Sequence, residues 1–152
     1  VGAIVGGRAS AGGVDHDVAP GVAASLTGSW LALYEGEARP FVLLALTLSG
    51  STTTTTLASG GGAAQRLTAF DARLSVLAGK TFLERVTPYA AARVFGGPVW
   101  WTLDGAGVTG GDQHHYALGA GVTVRLPGAL DVFVEGMALG ERSLNAGAGL
   151  AF

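Results

Sequence analysis

The chain has 152 residues, nine Lys and Arg against eleven Asp and Glu, a formal net charge of −2, and 26 glycines. Charged residues are only 13% of it and hydrophobic ones 49%, against about 25% charged in an ordinary soluble domain. This excludes a disordered chain, a collagen (the glycines keep no three-residue period) and a basic nucleic-acid module, and the lack of cysteine excludes a disulfide framework, a thiol nucleophile and a thiolate metal site.

Strict alternation organises the chain from its first residue. Val1, Ala3, Val5, Gly7 and Ala9 alternate with Gly2, Ile4, Gly6, Arg8 and Ser10, which reads as a strand with one apolar and one small or polar face. The second strand sets Val22, Ala24, Leu26, Gly28 and Trp30 against Ala23, Ser25, Thr27, Ser29 and Leu31. The third sets Pro40, Val42, Leu44, Leu46 and Leu48 against Phe41, Leu43, Ala45, Thr47 and Ser49. Phe70, Ala72, Leu74, Val76 and Ala78 oppose Asp71, Arg73, Ser75, Leu77 and Gly79 in the fourth. In the fifth, Pro88, Ala90, Ala92 and Val94 oppose Tyr89, Ala91, Arg93 and Phe95.

The sixth strand opposes Tyr116, Leu118, Ala120, Val122, Val124 and Leu126 to His115, Ala117, Gly119, Gly121, Thr123 and Arg125. The seventh runs from Leu130 to Ala138 with Asp131, Phe133, Glu135 and Met137 on its second face, and the eighth alternates from Ser143 to Phe152. Eight strands of roughly nine to eleven residues match a closed, antiparallel, up-and-down transmembrane β-barrel occupying residues 1–152 as a single domain. The two long charge-free stretches, Val18–Tyr34 and Pro40–Gln65, are too rich in Pro, Gly, Ser and Thr to read as spanning helices. No charged segment followed by an apolar core opens these residues, so no signal peptide is expected in them.

Charge decides which face meets lipid. None of the twenty charged residues falls on the apolar face; Arg8, Asp71, Arg73, Arg93, Arg125, Asp131 and Glu135 fall on the other, and thirteen on connections. A soluble barrel would need a Lys- and Glu-rich exterior, whereas a charge-free exterior suits lipid, where a mid-bilayer Arg or Lys costs about 2–4 kcal/mol. With Val1 periplasmic, the even strand count puts both termini there. Trp30, Tyr34 and Phe152 then mark one edge of the lipid face and Phe70, Trp100 and Tyr116 the other, as interfacial girdles. Leu33–Arg39, Gly79–Arg85 and Pro127–Gly128 read as short periplasmic turns, and Gly12–Pro20, Gly50–Gln65 and Gly97–Asp112 as long extracellular loops, with Gly140–Arg142 short. The Thr52–Thr56 run reads equally as projecting strand or as low-complexity loop.

These features resemble a known family. The alternating C-terminal segment ending in Phe152 is similar to the terminal strand of bacterial outer-membrane barrels. Pro88-Tyr89-Ala90-Ala91-Ala92-Arg93-Val94 resembles a strand of small eight-stranded barrels such as the transmembrane domain of outer membrane protein A. The resemblance implies the Gram-negative outer membrane, its lipid as surroundings, and recognition of the last strand by the barrel insertion machinery. It implies no one activity, and the peptidoglycan-binding role is not carried over.

Arg8, Arg73, Arg93 and Glu135 fall at one level, with Asp71 one step higher, and are expected to form a charge network across the lumen. Arg125 and Asp131 flank Pro127-Gly128 and are expected to pair locally. Asp15-His16-Asp17 and His114-His115 with Asp112 carry ligand types but no metal-binding spacing, so they read as solvated acidic loop; no catalytic, metal or cofactor site is expected. The functional expectation is a plugged envelope scaffold, not an enzyme, with outer loops open to a protein partner. A narrow pore for ions or small solutes is the alternative; inward Gly at 2, 6, 119, 121, 147 and 149 leans towards it, and inward Phe41, Tyr89, Phe95, Phe133 and Met137 argue against it. A lipid-modifying enzyme is the third reading, with no serine matched to His114.

Overall fold

β-Branched and apolar residues at every second position, broken only by Gly and Pro, give a chain built from strands. A computed structural model describes residues 1–11, 13–60, 63–103, 106–111 and 114–150. Among them are β1 (Gly2–Ile4), β2 (Gly7–Ala11), β3 (Val14–Val18), β4 (Gly21–Leu33), β5 (Phe41–Leu57) and β6 (Gln65–Gly79). They are followed by β7 (Val86–Gly96), β8 (Val99–Leu103), β9 (Ala106–Gly110), β10 (Tyr116–Leu126), β11 (Leu130–Gly140) and β12 (Ser143–Leu150). The fold is all-β, and no helix of the described residues is long and apolar enough to cross a membrane.

The sheet order is β1-β4-β5-β6-β7-β10-β11-β12, an antiparallel path in which β2 pairs with β3 and β8 with β9 as side extensions. Eight strands lie on that path, but the ladders of the described residues include none joining β1 to β12. The closed barrel expected from the alternation is therefore not what these ladders show. Gly6, at φ 116°, interrupts the first strand after Ile4 and leaves three residues of β1 in register with β4.

The long connections expected as loops are largely strand. β2 and β3 form a hairpin whose second arm continues onto β5, with His16 opposite Leu57 and Asp17 opposite Thr56. β8 and β9 form another, docked on β6 through Leu67 opposite Trp101. The threonine run lies within β5, where Thr53 and Thr55 are buried and Thr54 and Thr56 exposed. The short connections hold: Gly128 and Ala129 adopt φ of 82° and 61° between β10 and β11, and Leu83 and Glu84 turn the chain before β7.

The chain divides into two compact units. One comprises Val1–Thr27, Thr47–Ala72 and Gly96–Asp112, the other Gly28–Leu46, Arg73–Phe95 and Gln113–Phe152. In the second, the buried residues Ser75, Ala91, Ala117, Glu135 and Met137 all come from the small-and-polar face, with Leu77, Tyr89 and Phe95 packed beside them. Trp30, Leu46, Leu74, Val94, Leu118, Val134 and Leu144 of the same unit are large, exposed and drawn from the apolar face. In the first unit Val22, Leu26, Leu48, Phe70 and Trp100 are likewise exposed, while His16, Thr53 and Thr55 are buried. In each unit the large apolar side chains of one face are thus exposed while residues of the other face are buried.

Candidate functional site

The inward polar residues of the second unit form one row across four strands. Tyr89 on β7 stands opposite Gly121 on β10, Gly121 opposite Glu135 on β11, and Glu135 opposite Asn145 on β12. Arg93 Nη2 donates to Glu135 Oε2 at 2.7 Å, with side-chain exposures of 16% and 4%. Arg93 stands opposite Ala117 of β10 and reaches across that strand to Glu135 of β11. Asn145 Nδ2 donates to the other carboxylate oxygen at 3.4 Å, and Tyr89 lies within electrostatic reach of the same group. A buried carboxylate is tolerable only with such partners.

Glycine makes the row possible in a second way. A Cβ at Gly121 would stand 2.5 Å from the Tyr89 ring carbon and hydroxyl, and one at Gly147 would stand 2.6 Å from Phe133. At Gly119 it would meet the Gly136 carbonyl and, at 2.8 Å, the Met137 sulfur. The space that the inward glycines at 119, 121 and 147 leave is thus occupied by Tyr89, Phe133 and Met137. Inward glycine argues for a pore only where its space stays empty, and at these three positions the packing removes that argument.

The remaining charges of the expected network are placed as follows. Arg73 lies with its guanidinium carbon 5.1 Å from the centre of the Phe95 ring, a cation–π geometry. Asp71 lines a recess of about 270 Å³ with Ile4, Ala23 and Ser49. Arg8 pairs with Asp17 of β3 at 3.5 Å, with side-chain exposures of 67% and 55%. Register partners share a face, and Asp17 lies opposite exposed Thr56, so Arg8 stands on the outward face rather than the inward one expected for it. The break at Gly6 reverses the alternation, which strict period two across Val1–Ser10 could not reveal. Arg125 pairs with Asp131 through Nε at 3.0 Å beside the Pro127-Gly128 turn, as its position suggested.

Of the aromatic set, Trp30, Tyr34, Phe70, Trp100 and Tyr116 are 42–70% exposed, all on the apolar face. Phe152 lies outside the described residues, as does Asp112. His16, expected in a solvated acidic loop, is instead buried in β3, edge-on to Trp101 with ring centres 4.7 Å apart. Trp101 Nε1 donates to Thr55 Oγ1 at 2.8 Å, and Thr55 is fully buried. The adjacent pair Trp100-Trp101 held the missed signal, since neighbours in a strand face opposite ways. His115 Nδ1 lies 3.3 Å from the Phe95 carbonyl, and the described residues bring no three His, Asp or Glu together as a metal cluster. No family model, curated protein or solved structure matches the chain.

Proposed function

We propose that the chain is an integral outer-membrane β-barrel of a Gram-negative bacterium, acting as an envelope scaffold with a plugged interior. In this reading the eight strands of the sheet path close through β1 and β12, because an open edge within hydrocarbon would leave backbone groups unpaired at several kcal/mol each. Both termini are periplasmic, and the β2–β3 and β8–β9 hairpins extend outward, where they are available to a protein partner. The last strand serves recognition by the insertion machinery.

One observation carries the proposal. Large apolar side chains are exposed on one face while Glu135, 3% exposed, is buried with Arg93 on the other. In water that arrangement forfeits the hydrophobic driving force; in lipid it uses it. Filling of the inward glycine positions 119, 121 and 147 by Met137, Tyr89 and Phe133 favours a plug over a pore there, while a Cβ at Gly2 or Gly149 would meet nothing within 4 Å.

The test is refolding into phospholipid vesicles, read by a heat-modifiable shift on gels, with cysteine pairs in β1 and β12 reporting closure and planar-bilayer recordings reporting conduction. Heat-modifiable folding, oxidation of at least one β1–β12 pair and an absence of current are expected. A stable monomer in plain buffer refutes the membrane reading, and steady single-channel current refutes the plug.

A further inference from the structure

We propose that the outward face of β4, β5 and β6 holds a membrane lipid with an anionic phosphate headgroup, its acyl chain in a groove floored by Gly50 and its phosphate on Arg66. The inference rests on the reading that this face meets lipid. The groove has a volume of about 500 Å³ and is walled by Val22, Phe70 and Trp100 over a floor of Ala24 and Gly50. Its lining is almost wholly apolar up to Arg66. A second recess of about 340 Å³ shares Val22, Thr52 and Arg66 with the first and continues past Thr54 and Ala64 to Pro20. Arg66 therefore lines both recesses and brings a guanidinium to the end of a largely apolar groove.

Arg66 is exposed, and its Nε donates to Thr52 Oγ1, which lies 3.4 Å from Thr68 Oγ1. Arg8, Arg93 and Arg125 each have a carboxylate, but among the described residues none pairs with Arg66. A guanidinium with no carboxylate partner among the described residues, on an outward face of β4, β5 and β6 that otherwise lacks charge, calls for an anion, and phosphate takes its paired N–H donors in a fork. Arg66 and Phe70 are four residues apart on β6, about 13 Å of strand. A free anion cannot touch both ends of such a site, whereas a headgroup with a tail can.

The test compares wild type, Arg66→Gln, Arg66→Lys and Gly50→Leu, with Arg39→Gln as control. Each is folded into phosphatidylcholine vesicles doped with equal phosphatidic acid and diacylglycerol, extracted in mild detergent, and weighed intact by mass spectrometry. A Cβ at Gly50 meets only the Ala69 carbonyl at 3.8 Å, ordinary contact, so Gly50→Leu fills the groove without disturbing the sheet. Wild type and Arg39→Gln should retain phosphatidic acid over diacylglycerol, Arg66→Gln and Gly50→Leu roughly fivefold less, and Arg66→Lys an intermediate amount. Wild type that fails to show a heat-modifiable form in vesicles overturns the membrane reading and this site with it. With folding intact, equal phosphatidic acid on all variants, or diacylglycerol held as well, overturns the lipid site alone. So does inorganic phosphate bound in an Arg66-dependent but Gly50-independent way, or a doubled mass that Gly50→Leu abolishes.

Discussion

Replacing Glu135 with Ala removes the acid that Arg93 contacts at 2.7 Å and leaves a guanidinium whose side chain is 16% exposed. Asn145 loses one of its two acceptors as well, since its Nδ2 donates to the same carboxylate and to Ser143 Oγ. If the interior is dry, deleting one member of such a pair costs about 3–5 kcal/mol, because the remaining charge is neither paired nor hydrated. If water fills the interior, the loss is that of an exposed pair, below about 1 kcal/mol. The double variant Glu135→Ala with Arg93→Ala distinguishes a lost pair from a damaged fold: removing both charges should recover at least about 1 kcal/mol relative to Glu135→Ala alone. Urea unfolding in vesicles, followed by tryptophan fluorescence and gel mobility, measures all three. A loss under about 1 kcal/mol for Glu135→Ala, or a double variant no more stable than it, refutes the dry plug.

Leu46 is 51% exposed on the apolar face, so Leu46→Arg should cost about 2–4 kcal/mol in a bilayer folding titration; a silent result means that this face does not meet lipid. Gly147→Ala forces a Cβ to 2.6 Å from Phe133, whereas nothing lies within 4 Å of a Cβ at Gly149. The first should lose about 1–3 kcal/mol and the second stay within about 0.5 kcal/mol, and equal losses would deny the packing role of Gly147. Trp101→Phe removes the 2.8 Å bond to Thr55 and should lower stability by about 0.5–1.5 kcal/mol. Since that bond ties β8, which pairs with β6, to Thr55 of β5, the loss should appear as faster amide exchange in β8 and β9, and unchanged exchange there counts against it.

The faces of the strands are legible in sequence because alternation is a local property: Leu74, Ser75 and Val76 announce their sides without any partner. Where a single glycine resets the phase, the same rule misleads. Arg8 is two residues past Gly6 and ends on the other side, paired with Asp17. The outer extensions read as loops because Gly and Pro signal turns, yet Pro98 and Pro20 sit at joints between strands rather than at chain reversals. The Arg93–Glu135 pair is within reach of sequence, since both residues are charges on an inward face. Asn145 and Tyr89 are not, because their places in the row depend on register across β7, β10, β11 and β12. Closure depends on a ladder between distant ends of the chain, which alternation does not encode.

The complementarity between Gly121 and Tyr89, and between Gly147 and Phe133, has a consequence for descent. Each glycine and its aromatic share one volume, so the glycine cannot enlarge alone: enlarging position 147 is admissible only in a lineage where position 133 has already shrunk. Substitutions at 133 and 147 should therefore arrive as an ordered pair, the aromatic reduced first, because a void in an inner face is survivable while a steric overlap with the Phe133 ring is not; at 121 the Val134 carbonyl would still stand 2.9 Å from a Cβ, so that glycine should stay fixed. Outward positions such as Leu46 and Val76 are under no such constraint and can exchange freely among apolar residues. In any set of relatives, the variable face and the paired-change face should be distinguishable from substitution patterns alone.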